Sequence, residues 1–169
     1  LGKHPYLDTP PPPVRGRAVA TDFLDGCDKV MIPEIRKWLP KSALIEGSWD
    51  KSFSKQTRTL TLNNNSFIEF MSSEQDTDKF AGTSRHFTWF DEECPKEIFD
   101  ECKMRLLDTK GSWWMTMTPV EGMTWVYDDL YLPAIEGDDP NIKIVMVDTR
   151  QNTYLDPEAI KLVMSGLDP

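Results

Sequence analysis

No apolar run in this sequence approaches the roughly 20 residues needed to cross a bilayer, and Leu1 to Pro13 has neither the basic start nor the apolar stretch of a signal peptide. A soluble, intracellular chain is expected. Cysteine is sparse: Cys27, Cys94 and Cys102 cannot all pair with one another and lie in no CxxC or Cys/His cluster, which excludes a zinc finger and a disulfide scaffold. They are expected to be reduced and to fill core. His4 and His86 stand alone, without partners at metal-ligand spacing. The nine glycines are scattered and no GxxxxGK[ST] occurs; the one Gly-Lys pair, Gly2-Lys3, precedes a His and a Pro. A backbone cradle for nucleotide phosphates is therefore missing. Positive charge is short too, with a formal net charge of −9. That excludes a chain coating DNA unaided, because non-specific DNA affinity comes from neutralising phosphates.

With 169 residues, 39% of them hydrophobic, the chain can fill one domain with a real core, residues 1–169. Charge is uneven: seven basic against three acidic residues between Lys29 and Arg58 make that stretch +4 and the remainder −13. This is either a basic face for a partner or a solvated charged surface.

Pro10 to Pro13 cannot be helix and reads as an extended connector into a short β-type run, Arg15 to Phe23. Asp28 is placed to cap a helix through Leu39, with Val30, Met31, Ile35, Trp38 and Leu39 on one stripe and Pro40 as the stop. Between Arg58 and Ser72, apolar residues flank Asn63-Asn64-Asn65, a hairpin pattern. His86 to Phe90 is β-prone, Pro95 to Asp108 has helical spacing, and Trp113 to Met117 is again β-prone. Pro95 suits a first helical position and Gly111 a residue just past a helix end. A crossover of this length makes two parallel strands of one sheet. A third strand is expected at Ile142 to Asp148, followed by a helix, Pro157 to Met164, capped by Asp156.

Parallel strands end at one edge of the sheet, so Asp91 and Glu92 should stand near Thr116 and Thr118, at the edge where open α/β sheets bind ligands. An apolar strand ending in Asp-Glu is the Walker B pattern. In a phosphate-transfer ATPase the Asp serves Mg²⁺ and the Glu orients and deprotonates the attacking water. The same acids, with Glu93, could instead only complement the positive end of the following helix at about 0.3–1 kcal/mol each. Glu93 reads best as an exposed first-turn residue of that helix. Of the six tryptophans, Trp89, Trp113 and Trp114 read as core, while Trp49, beside Lys51, is the best exposed candidate for stacking on a base.

The stretch WFDEECPKEIFDECKMRLLDTKGSWWMTMTPVEGMTWVYDDLY resembles the ATPase domain of phage terminase large subunits, in which a strand ending in Asp-Glu is followed by a helix and a strand leading into a Thr-rich coupling motif before Pro. Gly2-Lys3-His4-Pro5, the hairpin with Gly82 ahead of the acidic strand, and Gln151 to Glu158 extend the likeness over nearly the whole chain. The resemblance implies an α/β fold: a mainly parallel sheet flanked by helices, of the ASCE-type P-loop NTPase architecture, truncated, with an inserted β-hairpin. It implies Asp91 as the Mg²⁺ ligand, Glu92 as the catalytic carboxylate, Thr116 to Thr118 as the segment coupling hydrolysis to movement, and ATP as substrate. A cation for the γ-phosphate would come from Arg85, first choice, or from Lys79 or Arg105, or from a neighbouring subunit. The implied partners are double-stranded DNA, sister terminase subunits, the portal protein and the small terminase subunit, in the cytoplasm of a bacterial host.

In that family the phosphate loop lies upstream of a segment like residues 1–5 and a nuclease domain follows. The chain is thus expected to be a piece of a longer protein that hydrolyses ATP negligibly alone and carries an open, association-prone strand edge. Two other readings stay open. One is an assembly or DNA- and portal-binding module working through Lys51, Lys55 and Arg58. The other is a nuclease in which Asp91, Glu92 and Asp22 or Asp148 hold Mg²⁺.

Overall fold

The computed structural model describes residues 10–119, 122 and 124–165; Gly2-Lys3-His4-Pro5 lies outside them. The chain divides after Gly122 into two compact units. In the first, β1 (Arg15–Ala20) leads into a π-helical stretch, Phe23–Met31, continued by α1 (Ile32–Trp38); α2 (Trp49–Ser52), β2 (Phe53–Ser54), β3 (Thr59–Thr61), β4 (Phe67–Ser72), β5 (Phe87–Asp91), α3 (Lys96–Met104) and β6 (Ser112–Thr116) follow. The second holds α4 (Leu132–Glu136), a 3₁₀ turn at Thr149–Gln151 and α5 (Pro157–Ser165).

The six strands form one sheet in the order β2-β3-β4-β1-β5-β6. β4, β1, β5 and β6 run parallel, and β2 and β3 join antiparallel at one side. The expected hairpin is β3 and β4, with Asn65 at φ 63 in its turn, a conformation Asn tolerates better than most residues. β1, the central strand, is buried on both faces, as parallel strands under helices must be. Ala18 and Ala20 face Cys27, Met31, Leu60 and Phe70. On β5, Phe90 meets the α3 side, with Phe99 at 5.3 Å between ring centroids.

The first helix starts earlier than expected. Asp22, not Asp28, caps it, its Oδ1 accepting the Asp25 N–H at 2.6 Å. The chain turns straight off β1, and Phe23, Cys27 and Met31, spaced four apart, already pack on the sheet. Asp28 instead pairs with Arg58 at 3.3 Å. The three cysteines are buried and form no disulfide; burial pushes the Cys27 thiol up to about 11 and that of Cys94 up to about 12, so both are poor nucleophiles.

The third expected strand does not form: 142–148 has no regular structure, and Val145, Met146 and Val147 are more than 70% exposed. A strand exists only through pairing, and no described strand pairs with this segment. In the same unit Asp156 does serve α5, its Oδ1 accepting the Glu158 N–H at 3.0 Å.

α3 ends at Met104, and tight turns bring the chain back to β6. A Cβ at Gly111 would lie 2.6 Å from the His86 carbonyl oxygen and 2.9 Å from Leu106 Cδ2. Gly111→Ala is therefore expected to destabilise the protein by about 1–3 kcal/mol through backbone displacement, read as a lower urea midpoint at unchanged slope.

Candidate functional site at the carboxyl edge of the sheet

β5 and β6 are paired in parallel with Asp91 beside Thr116, so both strands end together. The two chain ends are then stitched to each other. The Glu92 N–H donates to the Thr116 carbonyl at 2.7 Å, and the Thr118 N–H donates to Glu92 Oε2 at 3.2 Å. Thr116 Oγ1 lies 3.0 Å from Asp91 Oδ1. Asp91, Glu92, Thr116 and Thr118, four residues that the sequence separates by up to 27 positions, thus form one cluster. Asp91 is half-buried; Glu92, Thr116 and Thr118 are exposed.

These acids do not cap the following helix. α3 begins only at Lys96, Pro95 stands at its cap position with no side-chain cap, and its first-turn acid is Glu97. Pro95 fixes φ but, with its extended ψ of 137°, precedes the helix rather than opening it. Glu93 is half-buried in the connection, three residues before α3, not in its first turn.

Glu92 has φ 74°, in the left-handed region. For a residue with a Cβ this costs on the order of 1–3 kcal/mol, and such strain persists only where surrounding contacts hold it. Here the two hydrogen bonds to the end of β6 do so. Glu92→Gly is expected to raise stability by about 0.5–1 kcal/mol while removing the carboxylate; chemical denaturation checks it, and a loss of stability would contradict the strain.

Arg85 and Arg105, two of the cations proposed from sequence, are not at this edge. Arg85 precedes β5, at the opposite end of the strand from Asp91, and is only 6% exposed. It grips Glu69 with Nε to Oε1 and Nη2 to Oε2, both at 2.8 Å. Arg17, 1% exposed on β1, donates from Nε to the same Oε1 at 2.6 Å and from Nη1 to the Phe80 carbonyl at 2.9 Å. Arg85 is thus part of a buried Arg–Glu–Arg pin, which corrects its assignment to the γ-phosphate. Arg105 lies at that same amino end, since α3 runs back against the strands, and pairs with Glu101 at 3.0 Å. Lys79 pairs with Asp78 at 3.6 Å.

Asp91 Oδ2 has no partner among the described residues, whereas Oδ1 meets Thr116. A carboxylate oxygen is a hard donor of the kind Mg²⁺ takes, with waters and phosphates completing its shell. The residues present fit that ion. They do not fit a multi-acid nuclease centre: no group of three or more His, Cys, Asp or Glu is arranged to hold a metal among the described residues. Asp22 is occupied as a helix cap. Asp148 caps the 3₁₀ turn, and its hydrogen bonds to Arg150 pull its carboxyl down to about 2.

Four of the seven basic residues of the stretch pair with carboxylates. Lys29 pairs with Asp25, Lys37 with Glu34, Lys51 with Glu46 and Arg58 with Asp28. Arg36 lies over the Trp49 ring at 5.4 Å. Trp49, expected exposed, is half-buried and stacked on Phe53 at 5.3 Å between centroids; Trp38 is the exposed one, at 74%. Trp113 and Trp114 are only half-buried, because β6 pairs on one side alone. Trp89 packs against the core but also sends its indole N–H to Thr116 Oγ1 at 2.9 Å, a contact that sequence spacing does not reveal.

No helix among the described residues is long and apolar enough to cross a membrane. No protein-family model and no curated protein sequence matches this chain. Its fold is similar to that of the large terminase from a thermophilic bacteriophage, with a TM-score of 0.73 and 11% sequence identity. The superposition covers 89% of this chain and 37% of that one, so the chain spans well under half the length of that protein. By architecture, then, the chain has a mainly parallel, helix-flanked α/β fold shared with a phage large terminase.

Proposed function

We propose that this chain is the part of an ATP-hydrolysing DNA-packaging motor, a terminase large subunit, that carries the acidic turn and the coupling segment. The observation that carries the reading is the junction of β5 and β6, where Asp91 and Glu92 are hydrogen-bonded to the Thr116–Thr118 segment instead of to a helix. Asp91, whose Oδ2 has no partner among the described residues, would hold Mg²⁺, and the ion would supply neutralisation of the charge developing on the phosphates. Glu92, exposed beside it, accepts a proton from the water attacking the γ-phosphorus; the P–O bond to ADP breaks as the bond to water forms. Because Glu92 also accepts from Thr118, a change at the carboxylate is felt by the segment after β6. That is the physical link by which hydrolysis would move the segment called the coupling motif. In this reading the phosphate cradle and the cation for the γ-phosphate come from outside this chain, and double-stranded DNA, sister subunits, the portal and the small subunit are partners of the whole motor, in the cytoplasm of the bacterial host.

The test is steady-state Mg²⁺-dependent ATP hydrolysis, with and without double-stranded DNA. Three proteins are compared: this chain, the chain joined to an upstream phosphate-binding loop, and the joined chain carrying Glu92→Gln. Turnover by the second alone supports the proposal; undiminished turnover with Glu92→Gln removes Glu92 from the chemistry.

A further inference from the structure

We infer that Trp89 is a positioning residue for the acidic site: its indole N–H, donated to Thr116 Oγ1, turns the Thr116 hydroxyl proton onto Asp91 Oδ1 and leaves Oδ2 free for a divalent cation. This rests on the reading of Asp91 as the metal ligand.

The geometry follows from the pleat. Side chains alternate along a strand, so Phe87, Trp89 and Asp91 share one face of β5, and Trp114 and Thr116 share the matching face of β6, with Trp114 beside Trp89 and Thr116 beside Asp91. Stacking of Phe87 on Trp114, 5.2 Å between centroids, and packing of Trp89 on the core hold this face in place. The indole then reaches diagonally to Thr116 Oγ1 at 2.9 Å. A hydroxyl has one proton and two lone pairs, whereas an indole N–H only donates. Once Trp89 has taken a lone pair, the Thr116 proton has two acceptors in reach: Asp91 Oδ1 at 3.0 Å and the Phe90 carbonyl at 3.4 Å. The shorter, charge-assisted bond to the carboxylate is the stronger. The carboxylate is thereby fixed in rotation, with one oxygen hydrogen-bonded and the other without a partner among the described residues. A ligand's outer-shell partner acts in this way on metal affinity. Here the chain of contacts is one residue longer, so the effect of Trp89 passes through Thr116.

Mn²⁺ alone serves as the probe, titrated into this chain and followed by loss of the free-ion EPR signal. Asp91→Asn is expected to abolish binding; Thr116→Val and Trp89→Phe are each expected to weaken it about tenfold, and Thr116→Ser to leave it within about twofold. In the Thr116→Val background Trp89→Phe should have no further effect, because the two residues act as one path. A further loss there would show that the indole acts other than through Thr116 and would overturn the inference. So would Mn²⁺ affinity within about twofold of native for a folded Trp89 variant. The isostere 3-benzothienylalanine at position 89 keeps the ring's shape and removes only the N–H, which answers the case in which Trp89→Phe disturbs packing. Unchanged affinity in Asp91→Asn would instead overturn the metal reading itself.

Discussion

Replacing Glu92 by glutamine, in a protein that supplies the phosphate-binding loop, is expected to lower ATP turnover about 10²- to 10⁴-fold, the range contributed by a positioned general base. Nucleotide affinity should stay within a few-fold. The substitution is well suited to the site because the glutamine carbonyl can still accept the Thr118 N–H that Glu92 Oε2 accepts at 3.2 Å, so the junction of β5 and β6 survives. Only the ability to take a proton is removed. Asp91→Asn acts on the other half of the pair, raising the Mg²⁺ concentration needed for turnover rather than blocking the proton transfer. Steady-state rates with nucleotide-binding isotherms separate the two effects. Equal activity of Glu92→Gln and the parent would leave the turn as a strained connection without a chemical role.

The largest stability effect is expected at Glu69, far from that chemistry. Glu69 accepts from Arg17 and Arg85, whose side chains are 1% and 7% exposed. Removing one partner of a buried ion pair leaves uncompensated charge and costs about 3–5 kcal/mol. Glu69→Gln should fall in that range, measured by urea unfolding, because a neutral amide cannot balance two buried guanidinium groups. Glu34→Ala, which breaks the exposed Glu34–Lys37 pair at 3.5 Å, should change stability by no more than about 0.5 kcal/mol. Burial of Glu69 would raise its carboxyl, but the hydrogen bonds from Arg85 and Arg17 and their charges outweigh this and hold it below the usual glutamate range. The folded-state value is thus the depressed one. The pin's contribution is complete only above the ordinary glutamate value of 4.5 and is lost as pH falls through the folded one. Glu69→Gln should lack that acid-side loss.

The same pin explains the misassignment of Arg85. In sequence it is an arginine shortly before an acidic strand, and nothing local says that Glu69, 16 residues earlier, lies beside it. Parallel pairing of β4 with β1 places Glu69 opposite Arg17, and only that long-range register makes two arginines converge on one acid. Trp89 was legible as a packing residue from its apolar strand; its hydrogen bond to Thr116 spans 27 positions and required the second strand to be in place.

Local chemistry was enough to locate β5, α3 and β6, the Asn turn between β3 and β4, and the meeting of Asp91 and Glu92 with Thr116 and Thr118. Each of these follows from short-range periodicity, turn residues and the geometry of a single crossover, which act over a few residues. Asp22 as cap, the unformed strand at 142–148, the buried role of Arg85 and the left-handed Glu92 did not follow. Each depends on which backbone or side chain arrives from elsewhere to accept a hydrogen bond, balance a charge or offer a strand edge, and that is settled when distant segments pack.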